Sequence, residues 1–128
     1  MNDIKKLEKI CRLLRYYIIK SITAAASGQP TSSLSAVEIM AGLVFGDNFI
    51  YRIDNPAFCN NDRLIFSKGH ASLLYALGAV AGRLNEDELL SLRKFGSRLE
   101  GHPTNAFEYA EAATGSLGQG SPWGWAWL

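Results

Sequence analysis

Gly101-His102-Pro103 and, after a spacer carrying Glu108 and Glu111, Thr114-Gly115-Ser116-Leu117-Gly118-Gln119-Gly120 form the stretch around which this chain is organised. Glycine at three of those last seven positions lets bare backbone approach a flat ligand, because no Cβ intervenes. Two segments upstream share the character. Ser27-Gly28-Gln29-Pro30 and Ser67-Lys68-Gly69-His70 also set a glycine beside an amide or imidazole side chain at the edge of an apolar element. Singly, each is ordinary turn punctuation. Together, three such loops converging would make the floor of a pocket.

The rest of the chain bounds what that pocket can be. A chain of 128 residues, 48% hydrophobic, is one domain at most, able to bury about two-thirds of its unfolded surface. Thirteen basic against twelve acidic residues give a net charge of +1. Without a long block of either sign, a nucleic-acid surface or a polybasic membrane surface is not expected. Cys11 and Cys59 are far apart and form no C-x-x-C, which suits a reduced cytoplasmic protein better than a disulfide scaffold or zinc site. Lys5, Lys6, Glu8 and Lys9 break any apolar leader, so no signal peptide is expected. No stretch is long enough to span a bilayer.

Periodicity places the loops on elements. Ile4, Leu7, Ile10, Cys11, Leu14, Ile18 and Ile22 recur at three- and four-residue steps, predicting an amphipathic helix from Ile4 to about Ala26, capped by Asp3 and stopped at Gly28 and Pro30. Ser35 and Glu38 have capping-box spacing, predicting a helix from about Ala36 to Phe45. A short strand over 49–53 and a turn at Asp54-Asn55-Pro56 are weaker expectations. Arg63 to Ser67 reads as a strand leading through Lys68-Gly69 into a helix from about Ala71 to Ala81. That puts His70 at a strand-to-helix corner, where α/β folds place ligands. Asn85 and Glu88 predict a further helix, Glu86 to Phe95. Residues 96–115 read as loop, and Glu108 and Glu111 as a solvated pair without a role.

Four ordered blocks then carry a resemblance: Ser27 to Ile39, Asp62 to His70, Phe95 to Pro103, and Thr114 to Gly120. In that order they resemble the N-terminal, pyrophosphate-binding part of transketolase, a thiamine-diphosphate enzyme family, and especially its short bacterial type split between two subunits. The resemblance fades before Asp3 and after Gly120. It implies an α/β fold, here a helix-rich portion of a thiamine-diphosphate-binding domain whose parallel sheet is flanked by helices and mostly absent. The whole chain, residues 1–128, would be a partial domain, apparently truncated. The implied activity is transfer of a two-carbon ketol unit between sugar phosphates, in pentose phosphate carbohydrate metabolism, with thiamine diphosphate and magnesium as cofactors.

The resemblance also implies roles. His70 matches the histidine that contacts the cofactor's diphosphate, and an imidazole N–H at a helix N-terminus suits an anion. His102 matches the histidine that hydrogen-bonds substrate near the reacting carbon, and Pro103 restricts the backbone before it. Gly115 and Leu117 match positions touching the aminopyrimidine, while Gly118 and Gly120 serve the turn. Gln29 stands where the family's first loop carries a histidine. A glutamine can donate and accept hydrogen bonds but cannot shuttle a proton near neutral pH. The family's G-D-G magnesium motif occurs nowhere in the sequence.

Expected partners are a sugar-phosphate substrate and a second subunit or domain supplying the pyrimidine-binding half, dimeric when complete. The chain alone is expected to be inactive. Two other readings stand beside this one: a non-catalytic remnant that docks on a partner, and a small helical binding module without a cofactor. The tail Trp123-Gly124-Trp125-Ala126-Trp127 bears on the choice, since each tryptophan has about 150–250 Å² to bury and a short terminal helix hides little of it. An altered chain end and a docking patch both explain it.

Overall fold

The run Ala71 to Leu77 carries no charge, and a helix apolar on every side has to be surrounded. In the computed structural model, which describes residues 3–127, this run opens helix α4 (Ala71–Val80), and all seven of its residues are buried. Helix α1 (Ile4–Ala25) packs on it most extensively, presenting Cys11, Leu14, Ile18 and Ser21 at three- and four-residue steps. The Asp3 carboxylate caps α1 by accepting from the Lys6 N–H at 3.3 Å. At the other end Ala26 takes a left-handed conformation and its N–H reaches Ile22 O and Thr23 O, the usual way to close a helix. Gly28 follows at φ 147°, where a Cβ would stand 2.9 Å from Ile22 Cγ1. Only glycine fits that exit.

The helix predicted next is present, and a short one that was not predicted precedes it. Helix α2 (Pro30–Ser35) begins with proline at its first turn, and α3 (Val37–Phe45) follows after a break at Ala36. The Ser35–Glu38 capping box does not form, because Ser35 is already helical. Its hydroxyl donates to Ser32 O at 2.7 Å, and the Glu38 carboxylate instead pairs with Arg15 of α1. That guanidinium holds the Glu38 carboxyl below its ordinary range.

The predicted strands at 49–53 and 63–67 are absent, and no strand occurs among the described residues. A strand needs a ladder partner. Here the backbone of the first is tied instead by side chains: Ile50 N–H donates to Asp62 Oδ2 at 2.7 Å and Arg52 N–H to Asn61 Oδ1 at 2.8 Å. The helix predicted over 86–95 stops early, as α5 (Glu86–Leu89), although Asn85 caps it as expected by accepting from the Glu88 N–H at 2.7 Å. Beyond it the chain reverses through left-handed Arg93 (φ 62°) and Gly96 (φ 79°). This reversal buries Leu92 and Leu99 while leaving Phe95 fully exposed.

Residues 97–119 contain no helix, yet Leu99, Pro103, Phe107 and Thr114 are fully buried among them. Phe107 meets Tyr75 edge-on at 5.2 Å, which fastens this irregular segment to α4. Helix α6 (Gly120–Trp127) ends the description, with Trp125 three-quarters exposed and Trp123 half so. Among the described residues the fold is six helices joined by irregular segments, with the core gathered around α4. No helix among the described residues is long and apolar enough to cross a membrane.

Candidate functional site

Thr114 is the knot of the site. Its N–H donates to Pro103 O at 3.2 Å and its hydroxyl to Phe66 O at 2.6 Å. Three of the sequence blocks, 62–70, 95–103 and 114–120, are thereby tied at one buried residue. The fourth joins at Gly69 (φ 90°), where a Cβ would stand 2.9 Å from Gln29 Oε1. The missing side chain lets the Gln29 carboxamide lie against bare backbone. Thr114→Val should cost about 1–3 kcal/mol in chemical denaturation, because the shape is kept while the buried Phe66 carbonyl loses its donor. No measurable change would mean that the knot carries no load.

Between the blocks lies a cleft of ≈ 240 Å³, lined by Ser27, Gly28, Gln29, Gly69, Ala71, Ser72, Leu92, Arg93, Gly101 and His102. The structure thus brings Gln29 and His102 together from loops more than seventy residues apart. Both residues are exposed, and the His102 ring makes no hydrogen bond among the described residues. Tyr75 supports the His102 loop from below. Its hydroxyl donates to Glu100 O at 2.8 Å, with His102 O at 3.5 Å. Burial pushes the Tyr75 phenol far above its ordinary pKa, so it stays a neutral donor.

His70 does not line this cleft, although its neighbours Gly69 and Ala71 do. Half-buried, it is the residue before α4, and its Nδ1 lies 3.3 Å from Lys68 O. A carbonyl can only accept, so Nδ1 carries the hydrogen and Nε2 of the neutral ring is an acceptor. An oxyanion at Nε2 calls for the doubly protonated ring. Gly115 and Leu117 are likewise outside the cleft, on the loop before α6. There the Gln119 Oε1 accepts from Gly115 N–H at 2.9 Å and Ser116 N–H at 3.2 Å, while Leu117 projects outward, mostly exposed. The first residue of α6 lies over the segment that leads to His70, since a Cβ on Gly120 would be 3.7 Å from Ile65 Cγ2 and 3.9 Å from Ser67 Cα.

The residue that sequence reasoning missed is Arg93. It sat inside a predicted helix, where its side chain would have been one more exposed cation. The chain reversal instead turns it onto the cleft, with Nη1 donating to Ser27 Oγ at 3.0 Å and the guanidinium packed on Gly101. No motif announces it.

Gly69 offers bare backbone and His70 a ring nitrogen, groups able to meet an anion. The magnesium that the resemblance implies is less well served. Magnesium beside a diphosphate wants several oxygen ligands in near-octahedral array, and no three His, Cys, Asp or Glu side chains cluster to hold an ion among the described residues.

Comparison with known proteins gives the family. A family model described as transketolase, thiamine diphosphate binding domain, matches residues 6–123. Transketolase of Homo sapiens is 48% identical over 120 residues, which cover 93% of this chain and 19% of that one. Transketolase-like protein 2 of Mus musculus is 44% identical over the same lengths. Among solved structures, transketolase from Campylobacter jejuni subsp. jejuni NCTC 11168 aligns with a TM-score of 0.85 at 34% identity, covering 94% of this chain and 19% of that chain. Transketolase from Leishmania mexicana aligns with a TM-score of 0.83 at 31% identity, over 89% and 17%. The chain therefore spans about a fifth of the length of the curated relatives it matches.

Proposed function

The chain belongs to the transketolase family, through its thiamine diphosphate-binding domain, and we propose that it acts as a partial N-terminal domain, residues 1–128, in ketol transfer. The reaction is thiamine-diphosphate-dependent transfer of a two-carbon ketol unit between sugar phosphates, carried out within a larger assembly. The observation that supports this reading most is the meeting of all four blocks at Thr114 and Gly69, with Gln29 and His102 facing one cleft. Bound thiamine diphosphate would supply the electron sink that lets a carbon–carbon bond beside a carbonyl break and re-form. His70, Gly115 and Leu117 would hold the cofactor, His70 as the cation toward its diphosphate and the loop backbone toward its ring.

His102 and Gln29 would act on the sugar. The His102 ring, unbonded among the described residues, donates a proton to or takes one from a substrate oxygen at a ring nitrogen. Gln29 can only orient: its Nε2 donates to an oxygen while its Oε1 lies against the Gly69 backbone. A subunit or domain bringing the pyrimidine-binding half would close the open side, with the whole dimeric, while the magnesium ligands, not grouped among the described residues, would come from the rest of the pyrophosphate-binding domain.

Gln29→His tests the substrate-side assignment. In an assembly completed by the missing half, it should raise turnover about tenfold by restoring a group able to move protons, with a stability change below about 0.5 kcal/mol. Unchanged turnover would reduce position 29 to a structural loop residue. A docking role for the tail is favoured by one observation, the exposure of Trp125. Mass in solution, with and without the completing half, separates the two.

A further inference from the structure

Arginines on this chain are paired. Arg12, Arg15, Arg63, Arg83 and Arg98 each face a carboxylate, and Arg52 stacks 3.9 Å from the Phe58 ring centroid. Arg93 has neither kind of partner among the described residues. Its guanidinium makes one hydrogen bond, to Ser27 Oγ at 3.0 Å, out of five that its N–H groups could donate. The side chain is also placed with some care. The Arg93 backbone is held at φ 62°, a conformation that costs a non-glycine residue energy, and its N–H is fixed to Leu99 O at 2.8 Å. A Cβ on Gly101 would fall 2.6 Å from Arg93 Cζ, so the glycine leaves room for the guanidinium plane. The result is an exposed cation, without a carboxylate partner among the described residues, on the wall shared by Gln29 and His102.

We propose that Arg93 is the anion-holding residue of this cleft, receiving an oxyanion of a small polar ligand on its remaining N–H groups. The planar fork matches an oxyanion in two parallel hydrogen bonds, and the Ser27 hydroxyl fixes one arm so that the other edge is presented. Gln29 and His102 then contact the uncharged part of the same ligand. The inference deepens the ketol-transfer reading and rests on it for the ligand's identity alone. Two sources carry the same chemistry there: the phosphate of a sugar substrate and the diphosphate of the cofactor.

The test is titration of the full chain with inorganic phosphate at constant ionic strength, read by NMR at the Gln29 side-chain amide, the His102 ring and the Arg93 Nε–H. Saturable shifts at the first two are expected, and Arg93→Met should weaken the midpoint about tenfold. Gly101→Ala keeps the charge but displaces the guanidinium, and should weaken binding similarly. Lys94→Met removes an adjacent charge outside the cleft and should change the midpoint less than twofold. Repeating the titration with thiamine diphosphate present separates the sources: additive shifts assign the oxyanion to the substrate, competition to the cofactor. Should thiamine diphosphate leave the spectrum unchanged, the cofactor reading fails while the phosphate result still decides the role of Arg93. An unchanged midpoint in both Arg93→Met and Gly101→Ala overturns the proposal, as does an equal loss in Lys94→Met.

Discussion

Alanine in place of Phe107 is expected to remove about 3–5 kcal/mol of stability, a large part of what a domain of this size holds. Phe107 is fully buried in a segment with no regular structure of its own. Its ring stands perpendicular to Tyr75 at 5.2 Å and tilted to Tyr109 at 5.4 Å, and such pairs add to simple burial. Gly78 on α4 accommodates it, since a Cβ there would lie 3.1 Å from Phe107 Cζ. Backbone cannot close around the resulting hole, because the rigid α4 forms one wall. The loss should reach the site as well. Tyr75 would lose the ring that orients it, and its hydroxyl holds Glu100 O under the His102 loop. Guanidinium unfolding gives the energy, and the His102 ring resonance reports the loop. A loss below about 1 kcal/mol would show that residues 97–119 contribute little to the fold.

How much of this was legible in the sequence depends on the range of the interaction. Local signals read true: α1 begins at an Asp3 cap and follows its apolar spacing, α4 follows its apolar run, and Asn85 caps α5. Errors came where a tertiary partner outbid a local pattern. The Ser35–Glu38 spacing is a capping box on paper, but Arg15 on a neighbouring helix claims the carboxylate. The alternation of Leu89, Leu90 and Leu92 with charges reads as helix beyond residue 89. Burial of Leu92 and Leu99 on one core is better served by a reversal at Arg93. β-Prone runs at 49–53 and 63–67 cannot report whether a partner strand exists.

The site divides in the same way. Gln29 and His102 were named from their blocks and share a cleft. His70, Gly115 and Leu117, named from theirs, stand outside it. Arg93 was invisible, because its place depends on a left-handed turn that no single residue type announces.

The isolated chain is expected to show no ketol transfer, and to bind thiamine diphosphate weakly and indifferently to magnesium. Among the described residues no cluster of metal ligands is available, and the sequence contains no G-D-G. The diphosphate is left to His70 and a few backbone N–H groups. Each such charge-assisted hydrogen bond is worth about 1.5–3 kcal/mol before the cost of association is subtracted. Two or three of them, less that cost, leave a dissociation constant no tighter than about 0.1 mM, weakened further by salt because the contacts are exposed. Supplying the family's metal motif, which belongs to the rest of the pyrophosphate-binding domain, together with the pyrimidine-binding half should then change affinity by orders of magnitude and make it magnesium-dependent. Calorimetric titration of the purified 128-residue chain with thiamine diphosphate, with and without magnesium, tests the account most directly. The account predicts weak, salt-sensitive binding with the same midpoint in both titrations, and tight binding that appears only with magnesium would contradict it.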